Sequence, residues 1–483
     1  MTTKTWGSGG FAVLLLLTSV ELVVFLEVSI VNVALPAMGA ALALADTGLA
    51  WVVNAYQLTF GGFQLVGGRA ADVLGRRRMF QAGIVLFTGG SLLCGLAPDA
   101  GTLLAGRAVQ GVGAALVVPA ELALLAAIFT EPAVHRRAFG VWSAMAAAGA
   151  GSGVALGGIL TEVAGWPWIF LINVPIGLVA LVASPRLLPA DRPAPEGADR
   201  PRLDLVGALA GTGSLLALVL VASELPVRGW DALTTGAIAV TVLAAAVFWV
   251  RQRRHPQPIL PPALLRQREV RAGTVANALV GAAHVPAFVL LSLVLQDVMG
   301  YSAIAAGFAV LPVAVVNMVT ARTVVPWAVG RFGTRLVLAG GMGLLALGLA
   351  GYALLLHPGA GYLIAVLPSS VLFATGLPAV FVGSTASAVR VAPEEHKGTA
   401  SGLLNTAQRL GAALGVTGVL LASAAWTASH ETSVNAVSDG LRIGFAVAAG
   451  LAVLGVLCAL VMFTRRRVDA AAATVQQQGA PQR

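Results

Sequence analysis

The sequence predicts an all-α membrane protein with fourteen transmembrane helices, and composition and hydropathy are the observations behind that prediction. Hydrophobic residues make up 58% of the 483 residues, charged residues only 11%, and the mean hydropathy is +0.87. Soluble domains are about 25% charged, so a water-soluble core, a disordered chain and a secreted disulfide scaffold are excluded. Cys94 and Cys458 lie in separate apolar runs and predict neither a metal cluster nor a disulfide framework.

Fourteen apolar runs are long enough to cross a bilayer, which takes about 20 helical residues. The first is expected to stay in the mature protein, because it is too long for a signal peptide and contains Glu21 and Glu27. The predicted spans cover residues 11–36, 50–68, 79–97, 101–128, 138–160, 168–188, 205–222, 232–250, 272–296, 303–325, 336–356, 360–389, 398–425 and 441–463.

The distribution of basic residues predicts the orientation. If the N-terminus is cytoplasmic, the cytoplasmic loops and tails hold 25 of the 30 Lys and Arg residues, as the positive-inside rule requires. We therefore expect a multi-pass protein of the inner (cytoplasmic) membrane, with both termini in the cytoplasm and the lipid bilayer as its surroundings. The net charge of +9 is then a signal of topology, and nucleic acid is not an expected partner.

An internal repeat divides the chain. At one constant offset of 258 residues, Gly153–Gly157 matches Gly411–Gly415, and the Leu74-Gly75 pair matches Phe332-Gly333. Spans 1–6 then correspond to spans 9–14, with spans 7 and 8 as an inserted pair between two six-helix lobes. Parallel lobes with a midplane site between them are typical of secondary transporters. The predicted domains are the N-terminal lobe (1–188), the linker with two extra helices (189–270), the C-terminal lobe (271–465) and a cytoplasmic tail (466–483).

Four stretches resemble the 14-span drug:proton antiporters of the major facilitator superfamily. They are 26–36 in span 1, with Glu27 where the family usually has Asp; 67–78, GGRAADVLGRRR; 104–111 in span 4, with its intramembrane Arg107; and 166–177. The resemblance covers the chain to about residue 465. It implies the major facilitator superfamily fold and export of drugs in exchange for protons, driven by the proton motive force without a cofactor.

The span 5 signature departs from the family pattern. Antiporters usually have Gly-Pro-x-x-Gly-Gly, and this chain has Val154 in place of the proline. Import of a small metabolite by a proton symporter or facilitator therefore stays open as the alternative. A membrane receptor or assembly protein that uses the fold without transport is a third possibility.

Charged residues within the spans are the predicted proton-coupling residues: Glu27, Arg107 and Glu121. Intramembrane charges are costly and usually functional, although a permanent structural ion pair is the alternative for each. Arg107 and Glu121 are fourteen positions apart on span 4, within about 40° of the same face, so both are expected to line a cavity. Glu21 lies about 120° around span 1 from Glu27 and is the weaker candidate.

A substrate cavity and a set of gating residues complete the predicted site. The predicted cavity residues are Asn32, Gln110, Glu121, His284, Asn405, Gln408 and Arg409. Hydrogen bonding between helices is the alternative for the span 13 residues. The predicted gating residues are Gly68, Asp72, Gly75 and Arg76 in the loop after span 2, and Gly153, Gly157 and Gly158 in span 5. Asp72, in a basic loop, predicts a partner across the lobe interface, and the span 5 glycines predict close helix approach.

Catalysis finds no support in the sequence, since no His/Glu or Ser/His constellation has metal or nucleophile spacing. The segments between spans are too short for a nucleotide-binding domain. We therefore expect a monomeric transporter and not an enzyme, with protons and a small amphiphilic drug-like substrate as ligands and no metal. Because the membrane acids are confined to the first lobe, neutral or monocationic substrates are expected.

Overall fold

The computed structural model describes residues 8–44, 46–191, 204–255, 258–260, 262–393, 397–429 and 434–463, and these are almost entirely helical. Short π-helical turns follow α11 (Val294–Val298) and precede α14 (Tyr362–Val366). The helices are α1 (Ser8–Leu42), α2 (Asp46–Leu74), α3 (Arg76–Gly95), α4 (Ala100–Ile128), α5 (Pro132–Val163), α6 (Trp168–Leu171), α7 (Asn173–Leu187), α8 (Leu205–Arg228), α9 (Ala232–Arg254), α10 (Pro262–Arg266), α11 (Arg268–Leu293), α12 (Ala303–Arg322), α13 (Val324–Leu355), α14 (Leu367–Val391), α15 (Lys397–Ala428) and α16 (Val434–Met462).

Eleven segments of the described chain are long and apolar enough to cross a membrane, which agrees with the predicted all-α membrane class. The long helices α2, α3 and α5 are not among them, and the apolar stretch found among the described residues of α5 is Gly151–Val163. Between one and three arginines lie toward one end of each of these helices. The predicted total of fourteen spans therefore stays a prediction. The predicted tail and the middle of the predicted linker, residues 192–203, lie outside the described residues.

The two halves of the bundle use the same helix pairings. In the first half α1 packs on α5, α3 on α4 and α2 on α4; in the second α11 packs on α15, α13 on α14 and α12 on α14. Gly75 and Gly333, 258 positions apart, both have positive φ, 107° and 76°, a conformation that favours glycine. Helices α8 and α9 pack on each other, and α8 contacts α2 and α15, so this pair bridges the two halves.

The span 5 glycines serve two different contacts. A Cβ on Gly153 would lie 2.1 Å from Ser29 Oγ, and one on Gly157 would lie 2.6 Å from the Ile30 carbonyl oxygen. These two glycines therefore let α5 approach α1 within the first half. A Cβ on Gly158 would instead lie 2.2 Å from the carbonyl oxygen of Ala303 in α12. Gly158 is thus the one of the three that lies between the halves.

Hydrogen bonds join the halves at the end of the bundle where α1 and α5 terminate. Gln296 Nε2 donates to the Val33 carbonyl at 3.0 Å, and the Ile304 N–H donates to Glu162 Oε2 at 3.1 Å. We call this the closed end. Within the described residues, no extensive contact joins α4 to α14. The described halves therefore meet at the closed end and at mid-depth, where α2 meets α15.

Candidate functional site

An ion pair lies inside the first half, between α1 and α4. Arg107 Nη1 is 2.5 Å from Glu27 Oε1, and the two side chains are 2% and 0% exposed. The effective penalty for burying an ion in a protein is several kcal/mol, so each charge depends on the other. Both helices are apolar around these positions, so each charge is buried and has the other as its partner.

Further hydrogen bonds hold both partners. Asn173 Nδ2 donates to Glu27 Oε2 at 2.6 Å, and Arg107 Nε donates to a backbone carbonyl of α2 at 2.9 Å. Gln110 accepts from Arg107 at 3.1 Å and donates to Ser91 Oγ at 2.8 Å. Five helices, α1, α2, α3, α4 and α7, therefore meet at this network.

Two aromatic rings complete the enclosure of Arg107. Its guanidinium carbon lies 4.5 Å from the Tyr56 ring centroid and 5.8 Å from that of Phe170, positions in which a ring face stabilises a cation. Sequence reasoning did not select Tyr56, Ser91 or Asn173. The signal for Asn173 was its amide, which stands in an otherwise apolar span within one of the family-like stretches.

The charge of this network depends on the protonation of Glu27. Glu27 is the one carboxyl group of the network, so a proton on Glu27 removes the negative charge of the ion pair. Arg107 then keeps its hydrogen bond to Gln110 and its contacts with the aromatic rings. Within the described residues, no group of three His, Cys, Asp or Glu side chains has a geometry that fits a metal ion.

The predicted cavity residues Asn32 and His284 make their described hydrogen bonds within their own helices and not to this ion pair. Asn32 is buried, and its Oδ1 has no hydrogen-bond partner in the described chain. His284 Nδ1 lies 2.8 Å from a carbonyl oxygen of its own helix. The His284 ring packs edge-to-face on Phe288 and Phe381, at centroid distances of 6.5 and 5.4 Å. His284 thus belongs to an aromatic cluster inside the second half.

Arg409 crosses from the second half to the first. Its Nη1 donates to Gln57 Oε1 at 2.5 Å, and its guanidinium lies 3.5 Å from the ring centroid of Phe60. The backbone carbonyl of the neighbouring Gln408 packs closely against a glycine of α11. Asn405 is half-buried. Of the predicted polar face of α15, Arg409 is therefore the member that reaches the opposite half.

Glu121 lies fully buried on α4, opposite Glu21 on α1. Glu21 was the weaker candidate because it is about 120° from Glu27 around the helix. The structure places both glutamates against α4, Glu27 at Arg107 and Glu21 at Glu121. Helix α1 is enclosed by α4, α5, α7 and α11, so more than one of its faces is buried and an angular separation does not exclude either residue.

The predicted loop after span 2 is a single residue, Gly75, because the structure places Gly68 and Asp72 within α2 and Arg76 at the start of α3. Contacts within the first half hold this junction. Arg76 Nη1 donates to a backbone carbonyl of α4 at 3.1 Å, and a Cβ on Gly68 would be in ordinary contact with α4. Asp191 accepts hydrogen bonds from two N–H groups in the first turn of α3, and a Cβ on Gly75 would lie 2.3 Å from its Oδ2. The side chain of Asp72 lies outside the described residues, so its predicted partner stays a prediction.

These features define a class: a helical membrane protein of two similarly built halves with a buried ion pair in the first. The chain belongs to the Major Facilitator Superfamily, whose sequence profile matches residues 17–416. It is therefore a multi-pass membrane transporter and not an enzyme.

The relatives that it matches include antibiotic resistance and export transporters. The puromycin resistance protein pur8 of Streptomyces alboniger is 39% identical, over 94% of this chain and 89% of the relative. The cephamycin export protein CmcT of Amycolatopsis lactamdurans is 37% identical, over 90% of this chain and 89% of the relative. Among solved structures, the POT family transporter PepTSo aligns with a TM-score of 0.67 at 16% identity, over 97% of this chain and 99% of its own. That likeness shows the fold alone.

Proposed function

We propose that this transporter is a proton-coupled antiporter that exports amphiphilic drugs or antibiotics across the cytoplasmic membrane by alternating access. The observation that carries the proposal is the buried Glu27–Arg107 pair, found in a chain whose relatives are named for antibiotic resistance and export. The proton motive force is the energy source, and no cofactor takes part. The protein works as a monomer with fourteen transmembrane helices and both termini in the cytoplasm.

The closed end is the outer end in this proposal. Arg76–Arg78 form the first turn of α3 at the opposite end of the bundle, and basic residues at the ends of membrane-spanning helices are concentrated on the cytoplasmic side. The described contacts then correspond to a state that is shut toward the outside. Substrate enters from the cytoplasm or the inner leaflet into the space between the halves, near the predicted cavity residues.

Proton binding at Glu27 drives the return step. A proton that arrives from the outside neutralises Glu27 and removes the partner of Arg107, which weakens the contact between α1 and α4 and favours substrate release. One proton that crosses the membrane provides about 2.3 kcal/mol per 100 mV. One or two protons per cycle are enough for a useful substrate gradient.

Import is the second candidate, because Val154 replaces the proline of the antiporter signature. Helix α5 runs without interruption from Pro132 to Val163, and a Cβ on Gly307 of α12 would lie 2.7 Å from the Val154 carbonyl oxygen. A proton symporter or facilitator would move substrate inward with the proton gradient. The direction of flux separates these candidates, and a receptor without transport shows no flux.

The test is uptake of ethidium, a monovalent amphiphilic cation, into inverted membrane vesicles. We expect a proton gradient, acid inside, to drive uptake by the unaltered protein and not by Glu27→Gln. Glu131→Gln is the matched control, because Glu131 is exposed and its side chain makes no capping hydrogen bond. Gradient-driven uptake that persists in Glu27→Gln would contradict the coupling role, and net import of substrate into intact cells would favour the symporter.

A further inference from the structure

A second pair of acidic side chains is buried in the first half, apart from the Glu27–Arg107 network. Glu21 and Glu121 are both 0% exposed, and their carboxyl groups are close enough for a hydrogen bond once one of them carries a proton. None of the four carboxylate oxygens has a donor among the described residues. The indole N–H of Trp142 on α5 faces Glu121 without reaching hydrogen-bond geometry.

The charges of the two carboxyl groups determine how many protons the pair binds. Two ionised carboxylates in contact repel each other, and each would be a buried charge without a donor, which is costly. A single proton between them provides the missing donor and forms a charge-assisted hydrogen bond. The pair with one shared proton has a charge of −1, which requires a nearby cation.

The nearby cation comes from the opposite half. Arg409 on α15 is within electrostatic range of Glu21 and is held at α2 by Gln57 and the Phe60 ring. The other titratable group near Glu21 is the Tyr56 phenol on α2. The Tyr56 hydroxyl donates a hydrogen bond to a backbone carbonyl at 3.2 Å. It is neutral and provides no countercharge. Arg107 is already paired with Glu27. The charge of the acid pair therefore depends on the contact between the halves.

We propose that the Glu21–Glu121 pair is a second proton-binding site, which holds one shared proton while Arg409 lies at α2 and takes up a second proton when the halves separate there. The second proton comes from water and forms the missing O–H bond, so that the pair becomes neutral when its countercharge leaves. It returns to water when Arg409 comes back. The proposal rests on the proposed function and gives it a stoichiometry of two protons per cycle, one at Glu27 and one at this pair.

The stoichiometry determines which gradient can drive the export of a monovalent cation. Exchange of two protons for one monovalent cation moves one net charge across the membrane, so the membrane potential alone drives it. Exchange of one proton for one monovalent cation is electrically neutral and responds only to the pH difference. One net charge per cycle increases the limiting accumulation about 50-fold per 100 mV.

The experiment uses the purified full-length protein in liposomes with ethidium as the probe. A potassium gradient with valinomycin imposes the membrane potential at equal pH, and a separate set of liposomes carries a pH gradient at zero potential. We expect the unaltered protein and the control Glu131→Gln to respond to both. We expect the double variant Glu21→Gln/Glu121→Gln to respond to the pH gradient and to lose the response to potential, because two neutral amides can hydrogen-bond to each other but cannot take up a proton.

The outcomes separate the two proposals. A pH-driven response of the unaltered protein without any response to potential overturns the second proton site and leaves the antiporter standing. A potential response that persists in the double variant Glu21→Gln/Glu121→Gln also overturns it. Absence of pH-driven movement in the unaltered protein overturns the proposed antiport and this site with it. If the double variant does not fold, Arg409→Gln removes the countercharge and leaves the acid pair neutral throughout the cycle, and we expect the same loss of the potential response.

Discussion

The side-chain amide of Asn173 donates a 2.6 Å hydrogen bond to Glu27 Oε2, on the side of the carboxylate opposite to Arg107. Asn173 is the first residue of α7, so the last long helix of the first half is joined directly to the ion pair between α1 and α4. A change in the charge of Glu27 is therefore felt by three helices, and the relative position of α7 depends on the ion pair.

We expect Asn173→Ala to slow gradient-driven ethidium export several-fold and to lower the thermal unfolding temperature. A hydrogen bond to a charged group contributes about 1.5–3 kcal/mol, and its loss leaves one oxygen of a buried carboxylate without a donor. Asn277→Ala is the matched control, because Asn277 is also a buried amide donor, to Ser384 at 2.7 Å in the second half. Wild-type export by Asn173→Ala would show that this hydrogen bond has no part in coupling.

The ion pair makes a prediction that separates stability from transport. Arg107→Gln leaves Glu27 as a buried charge without its partner, and breaking a buried pair in this way costs about 3–5 kcal/mol. We expect the double variant Glu27→Gln/Arg107→Gln to recover most of the lost thermal stability, since both groups are then neutral, and still to lack proton-driven export. Unfolding in detergent and vesicle uptake measure the two properties. A double variant as unstable as Arg107→Gln would contradict this account.

The sequence shows each member of the Glu27–Arg107 pair but not the pairing. Each is a charge in an apolar helix, which stands out from its neighbours. The two lie 80 positions apart, and their contact depends on how α1 packs against α4. Ser91 and Tyr56 could not be selected, because an uncharged polar side chain in a span is common and is satisfied by many neighbours.

The repeat was visible in the sequence for a physical reason. Gly75 and Gly333 both have a backbone conformation that favours glycine, so the same residue type stands at both positions. The surroundings of Glu21 are harder to predict from the sequence. A helical angle from Glu27 separates the two residues only when a helix has one buried face, and the fold encloses α1 between helices of both halves.

Gly158 provides a prediction about the closed end. Because its Cα faces the Ala303 carbonyl across the halves, we expect Gly158→Leu to push α5 and α12 apart. Val33→Cys places a thiol at the closed end. We expect this thiol to react faster with a maleimide in the protein with Gly158→Leu than in the protein that keeps Gly158. Gly418→Leu is the control, because a Cβ there meets nothing within 4 Å. Equal labelling rates in the two leucine variants would mean that Gly158 does not keep this end shut.

The inserted helix pair provides a pH-dependent prediction outside the membrane spans. Asp204 caps α8 by accepting from the Gly207 N–H at 2.9 Å, and it pairs with Arg251 of α9 at 2.7 Å. Burial of Asp204 acts to raise its pKa, but the hydrogen bonds from Arg251 and Gly207 outweigh burial and hold the pKa below its usual range. Because the folded pKa lies below the unfolded value of about 3.9, this stabilisation is present above that pH and is lost as the pH falls through the folded pKa.

We therefore expect Asp204→Asn, which keeps an acceptor for the Gly207 N–H but loses the ion pair with Arg251, to lower the thermal unfolding temperature at pH 7 by an amount that corresponds to about 0.2–1 kcal/mol. The difference from the unaltered protein should shrink as the pH falls below about 4, since Asp204 becomes protonated and loses its ion pair with Arg251. Glu131→Gln is the control again, because Glu131 also precedes a helix but makes no capping hydrogen bond. A difference between Asp204→Asn and the unaltered protein that stays constant from pH 7 to pH 3 would show that the charge of Asp204 does not hold α8 to α9.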